Sequence, residues 1–201
     1  MINKKKFFDE YRKNIDFNGK LDNSEVIAID FILDKINENF GYFTTPQWAY
    51  VLATAFHETN HTLLPIKEIG GYKYFMKMYD VSGNRPNTAK KYGNTTIGDG
   101  AKYYGRGYVQ ITWKVNYAYY AKLLGIDLIN NPDLAQKSEY AWQIMVHGFK
   151  YGTFTGKKIS DYISGSKKDY LGARRVINGI DKAALIKGYA EKFEAAILKS
   201  V

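Results

Sequence analysis

Apolar positions recur at helical spacing over much of the chain. Residues Phe7 to Ile15 predict a short helix that stops at Asn18-Gly19. Asp22 or Asn23 is placed to cap a second helix. It runs to about Asn39, with an apolar stripe of Val26, Ile27, Ile29, Ile32, Leu33 and Ile36. Pro46 suits the first position of a third helix, whose apolar residues include Trp48, Val51, Leu52, Ala55 and Phe56. Its expected end is near His61, because Pro65 cannot continue it.

The pattern breaks between Gly70 and Gly107. Gly70-Gly71, Gly83-Asn84, Pro86, Gly93-Asn94, Gly98, Gly100, Gly105 and Gly107 read as turn signals, with any strands short. A long irregular stretch inside a compact domain is often functional. Helical spacing returns over Trp113 to Leu124, Glu139 to Tyr151, Lys168 to Ile177 and Lys182 to Leu198, with a turn at Ser160 to Ile163. The expected class is mostly α with an irregular central segment and at most a few short strands.

A length of 201 residues with 45% hydrophobic content supports one domain, at most with a small subdomain. No cysteine is present, so no disulfide framework or cysteine metal site arises. Met1 to Lys20 is charged throughout and has no apolar stretch of signal-peptide length, and no run is long enough to span a membrane. The net charge of +9 points to a polyanionic partner. The basic residues are scattered and fit no nucleic-acid-binding pattern, so a bacterial cell wall ranks above nucleic acid. Tyrosine is abundant, at 18 residues. Its flat face and polar tip suit a sugar groove as well as a core.

Two chemistries compete around Glu58. His57-Glu58-Thr59-Asn60-His61 fits H-E-x-x-H, which on one helix places two imidazoles around zinc with the Glu as base. A third ligand is missing: the extended spacing needs Gly at 64 and His at 67, where the chain has Leu64 and Lys67. Glu68 is a possible substitute, but Pro65 interrupts simple helical geometry. The other chemistry pairs Glu58 with Glu68. Glycoside cleavage uses one carboxylic acid to protonate the leaving oxygen and a second carboxylate as base or nucleophile.

The block Tyr103-Tyr104-Gly105-Arg106-Gly107-Tyr108-Val109-Gln110-Ile111-Thr112-Trp113, followed by Asn116-Tyr117, resembles the Y-Y-G-R-G-P-I-Q-L-S-W-N-x-N-Y block of family-19 glycoside hydrolases, the chitinase and endolysin group. His57-Glu58-Thr59 resembles that family's H-E-T, Lys67-Glu68 its Arg-Glu pair, and Arg174-Arg175-Val176-Ile177-Asn178-Gly179 its I-N-G segment. Order and approximate spacing agree across residues 46 to 195. Gly19-Lys20-Leu21 before an amphipathic helix looks like phage members of the group.

The resemblance implies a single catalytic domain over residues 1–201 with a lysozyme-like, bilobal helical fold. It implies Glu58 as general acid, Glu68 as general base, and Thr112 holding the water where the family usually has Ser. It implies His57, Gln110, Asn116 and Asn178 as substrate-binding residues, and Tyr103 and Trp113 as residues that line the groove or support it. The Gly105-Arg106-Gly107 step reads as a backbone device with Arg106 making structural hydrogen bonds. Members of this type invert, which requires carboxyls about 6.5–9.5 Å apart, and need no metal or cofactor. Tyr108 replaces Pro, Lys114 replaces Asn, and the Arg carried by some chitinases near the C-terminal helix has no clear match beside Ile186 or Lys187. The expected function is an endolysin-type lysozyme on peptidoglycan, acting as a monomer. It is made in a host bacterial cytoplasm and acts on the wall after release. Chitin is the alternative substrate, and a zinc peptidase or a non-catalytic wall-binding module the remoter ones.

Overall fold

A computed structural model of the chain describes residues 1–16 and 20–201. The expected helix stop at Asn18-Gly19, and the first residue of Gly19-Lys20-Leu21, lie outside them. The chain divides into two compact units, one of residues 1–64 and 145–201, the other of residues 65–144. Both are built from helices with short strands, as the pattern predicts.

The first unit begins with α1 (Lys4–Asn14), which starts earlier than expected because the Asn3 side chain accepts from the Lys6 N–H. Helix α2 (Asn23–Glu38) opens with a capping box in which Asp22 and Glu25 satisfy each other's backbone N–H groups. Its buried stripe is Ala28, Ile29, Ile32, Leu33 and Ile36. Ile27, expected in that stripe, is 69% exposed, one position off the inward face. Helix α3 (Thr45–Glu58) is buried at every residue from Gln47 to Phe56, and Pro46 is its second residue rather than its first. A helix apolar on all sides belongs at the centre of a core. Each large side chain so buried contributes about 1.5–3 kcal/mol.

Helix α3 ends at Glu58, short of His61. Thr59, fully buried, donates its hydroxyl to the Ala55 carbonyl and accepts the Leu63 N–H, which turns the chain out of the helix. The C-terminal part of this unit holds a β-hairpin, β3 (Ile163–Ser164) with β4 (Lys167–Lys168), then α9 (Tyr170–Ala173) and a 3-10 turn, Arg174–Val176. The helix expected from Lys168 starts later because Lys168 is spent on the hairpin and Asp169 caps Gly172. The last helix, α10 (Ala183–Leu198), packs along α3.

In the second unit, β1 (Ile66–Lys67) pairs antiparallel with β2 (Arg106–Gly107), Lys67 opposite Arg106. The stretch between them was expected to be irregular, yet it contains α4 (Tyr72–Tyr79), α5 (Pro86–Lys91) and α6 (Asp99–Lys102). They are tied by Asp80, 1% exposed, whose carboxylate accepts from Ser82 N and Oγ and from the N–H groups of Gly98 and Gly100. Helices α7 (Lys114–Leu124) and α8 (Ser138–Tyr151) match expectation within a residue, α8 continuing into the first unit.

The G-R-G step is the backbone device anticipated. Gly107 sits at φ +87°, and a Cβ there meets the Ala135 carbonyl oxygen at 3.0 Å. Arg106, 3% exposed, donates to the carbonyls of Lys102 and Tyr104, to Tyr117 Oη and to Asp133, and lies 3.8 Å from the centre of the Tyr104 ring.

Candidate active site

Glu58 closes α3 with its carboxyl partly sheltered. Oε1 accepts from Arg174 Nη1 at 2.8 Å. Arg174 is itself fixed: its side chain is 4% exposed and its Nε donates to the Asp181 carbonyl. Among the described residues nothing else bonds the Glu58 carboxyl, so Oε2 remains available. His57 precedes it, half-buried. Burial pushes the imidazole below its ordinary 6.5, with the neighbouring Glu58 charge opposing. Asn178 is exposed. It belongs to the turn that presents Arg174, since its N–H donates to the Arg174 carbonyl.

The zinc geometry is not realised. H-E-x-x-H needs both imidazoles one turn apart on a helix, but α3 stops at Glu58. His61 stands beyond it at φ +72°, with Nε2 3.1 Å from the Tyr189 hydroxyl. Among the described residues no group of three or more His, Cys, Asp or Glu is placed to hold a metal ion.

Glu68 follows β1 in the second unit and is held along its whole length. Its N–H donates to the Gly105 carbonyl at 2.9 Å. Its Oε2 accepts from the Gly105 N–H at 3.2 Å. Its Oε1 accepts from the Tyr79 hydroxyl at 2.8 Å and the Tyr74 hydroxyl at 3.2 Å. A Cβ on Gly105 meets Gln110 Oε1 at 2.9 Å and Glu68 Oε2 at 3.2 Å, so glycine is what lets the backbone reach the carboxylate. A carboxylate offers about four lone-pair sites. With these three bonds made, one on Oε2 is left for a water.

The motif residues gather around this point. Gln110 donates its amide to the carbonyls of Ile66 and Gly107, clamping β1 to the loop. Thr112 donates to the Gln110 carbonyl at 3.1 Å, and Asn116 donates to the Thr112 carbonyl at 2.7 Å. Trp113 is half-buried, edge-on to Tyr79 at 5.2 Å, stacked on Tyr92 at 5.5 Å, with the Arg85 guanidinium 5.8 Å from its ring. Of the two roles open to Tyr103, its placement fits support of the groove: it is 1% exposed and donates its hydroxyl to the Ile129 carbonyl. Its hydroxyl is used internally and its ring is sealed in the core.

Backbone strain marks the same segments. Asn60, His61 and Leu63, just after Glu58, have positive φ, and so do Gln110 and Trp113. Only one other non-glycine residue among those described, Lys182, does so. Each costs about 1–3 kcal/mol and persists where packing over-determines it, a pattern common at functional sites.

The family model for class I chitinases, glycoside hydrolase family 19, matches residues 44–147. The chain belongs to this family. A Hevea brasiliensis relative, "Inactive chitinase-like protein 1", is 57% identical over 35 residues, covering 17% of this chain and 11% of that protein. "Chitinase 3" of Oryza sativa subsp. japonica is 37% identical over 87 residues, covering 43% and 27%. The chain thus spans a small part of the curated relatives it matches. The crystal structure of chitinase C from Streptomyces griseus HUT6037 aligns over 98% of this chain and 91% of its own, with TM-score 0.56 and 20% identity. At that identity the likeness speaks to the family-19, lysozyme-like, mostly α fold alone.

Family-19 membership includes a relative named inactive, so activity has to be argued from the residues. The motifs assign no role to three of the residues that hold the carboxyls, Arg174, Tyr74 and Tyr79. Arg174 was read only as the start of the I-N-G segment, and Tyr74 and Tyr79 not at all. The Arg174-Arg175 doublet is a signal for a buried cation there, but it does not show which of the two arginines is buried.

Proposed function

We propose that the protein hydrolyses β-1,4 glycosidic bonds in an N-acetylglucosamine polymer with inversion of configuration. The observation that carries this is Glu68, a carboxylate oriented by three donors with an acceptor site left over. Glu58 protonates the glycosidic oxygen through Oε2 as the C1–O bond breaks. Water adds to C1 from the opposite face and gives its proton to Glu68. The products are a new reducing end and a free hydroxyl, and proton exchange with solvent resets both carboxyls. Thr112 helps hold the water, and Gln110, Asn116, Asn178 and His57 border the sugar.

The names of the relatives put chitin first as substrate. Digestion of chitin oligomers by the wild type and by Glu58→Gln and Glu68→Gln tests the reading. Each variant should lose at least about a hundredfold in kcat with its circular dichroism unchanged. Proton NMR of the first product should show the α-anomer. A β-anomer first, or full activity in Glu58→Gln, would overturn the mechanism.

The net charge of +9 favours a second substrate, peptidoglycan, whose strands add lactyl-linked peptides with their carboxylates to related sugar chemistry. In that case the protein is a phage-type endolysin. Mass spectrometry of digested cell walls decides: reducing ends at N-acetylmuramic acid support a muramidase, and reducing ends at N-acetylglucosamine exclude one.

A further inference from the structure

The positive charge is not spread evenly in its effect. In the first unit several cations are answered by nearby carboxylates, Lys4 by Asp30 and Asp34, Lys35 by Glu38, Lys168 by Glu194, Lys187 by Glu191 and Lys199 by Glu10, while others such as Lys6, Lys13 and Lys157 stand exposed among them. Such exposed pairs add little stability, but they cancel the local field.

Residues 67–91 of the second unit differ in that none of their cations has a carboxylate partner among the described residues. They hold six cations, Lys67, Lys73, Lys77, Arg85, Lys90 and Lys91, all exposed. The same stretch has two carboxylates. One is Glu68, already bonded by three donors. The other is Asp80, 1% exposed and saturated by Ser82, Gly98 and Gly100. None of the six cations pairs with a carboxylate among the described residues.

Their placement is ordered. Lys73 and Lys77 are one turn apart on the same side of α4. Lys90 and Lys91 end α5. Arg85, which precedes α5, is anchored by two hydrogen bonds to the Met78 carbonyl and sits 5.8 Å from the Tyr79 and Trp113 rings. Tyr79 in turn bonds Glu68, so Arg85 is two contacts from the base.

We propose that residues 67–91 form a docking surface for a carboxylate-bearing glycan strand, with Arg85 meeting the strand carboxylate nearest the base. This rests on the glycosidase reading and narrows its substrate class. A neutral polymer gains nothing from six unpaired cations. Repeating carboxylates on a strand gain at each repeat, and guanidinium is the cation whose planar fork matches a carboxylate. Other macromolecular polyanions also answer to charge, but the aromatic rings under Arg85 favour a sugar face over a phosphate backbone.

The test reads binding, so that it fails separately from catalysis. In the full-length Glu58→Gln protein, Lys73, Lys77, Lys90 and Lys91 are changed together to Glu. A control carries the same charge change in the first unit, at Lys5, Lys35, Lys187 and Lys199. Both are checked for unaltered thermal midpoints. Co-sedimentation is measured on purified peptidoglycan, on peptidoglycan with its carboxylates amidated by carbodiimide, and on chitin, at about 50 and about 500 mM salt. The expected result is a loss of at least tenfold in affinity for untreated peptidoglycan at low salt in the first variant, and a much smaller loss in the control. The difference should vanish on amidated wall and at high salt. Arg85→Gln should lose selectivity for untreated over amidated wall. Equal losses in the two variants would show that net charge acts without a surface, and overturn the proposal. So would competition by duplex DNA as effective as that of the wall fragment itself. Retained binding with no hydrolysis by the wild type would instead overturn the glycosidase reading.

Discussion

At the scale of single residues, the two carboxyls are held by side chains of opposite character. Glu58 meets a buried guanidinium, and Glu68 meets two phenols and a backbone N–H. A hydrogen bond to a charged group is worth about 1.5–3 kcal/mol. Tyr79→Phe removes the 2.8 Å donor while keeping the ring against Trp113. It should lower kcat on chitin oligomers by about ten- to a hundredfold, with KM little changed. Tyr74→Phe should cost less, because its bond is 3.2 Å long and its ring is 42% exposed. Steady-state kinetics on both variants checks the order, and a larger loss at Tyr74 would refute it. Arg174→Lys keeps the charge but not the fork that spans Glu58 and the Asp181 carbonyl. That variant should lose most of kcat as well, and wild-type kinetics in it would show that charge alone suffices. Glu58 and Glu68 were legible because they fall inside motifs. Tyr74, Tyr79 and Arg174 were not, because nothing in local spacing says which of 18 tyrosines, or which of two adjacent arginines, turns toward a carboxyl.

At the scale of elements, the long helices were legible and their ends less so. Helix α2 showed its stripe and its cap because both are local signals. Helix α3 was expected to end near His61, yet it stops at Glu58. The stop is made by Thr59, whose hydroxyl serves Ala55 and Leu63 at once. A threonine acting across four residues in each direction has no periodic signature. Helices α4, α5 and α6 were hidden for another reason: at eight, six and four residues they are too short to show a period. What organises them is a buried carboxylate, Asp80, reaching to Gly98 and Gly100. Thr59→Val keeps the shape but leaves the buried Leu63 N–H without its acceptor. The expected cost is about 1–3 kcal/mol in urea unfolding. The strained residues Asn60, His61 and Leu63 are also freed, so activity should fall more than stability predicts. A variant as stable and as active as wild type would remove Thr59 from this role.

At the scale of the whole molecule, the sequence states the net charge of +9 but not what happens to it with pH. The structure supplies that, because burial lowers the pKa of all three histidines, His57, His61 and His147, below the ordinary 6.5. The folded protein therefore binds fewer protons than the unfolded chain once pH falls below that value. Stability is full above 6.5 and is lost as pH falls through the folded-state values. Asp80 acts in the same direction at lower pH. Burial alone would raise its carboxyl, but the hydrogen bonds from Ser82, Gly100 and Gly98 outweigh it and hold it below the ordinary 3.8. Protonating the histidines also adds positive charge to a protein already at +9, and that repulsion destabilises too. Salt separates the two causes, since it screens repulsion between exposed charges and leaves the burial cost in place. The thermal midpoint should be flat above about pH 7 and fall steadily toward about pH 5. High salt should recover only part of the fall. A midpoint that stays level across this range, or one that salt restores completely, would mean that the buried imidazoles do not govern acid stability.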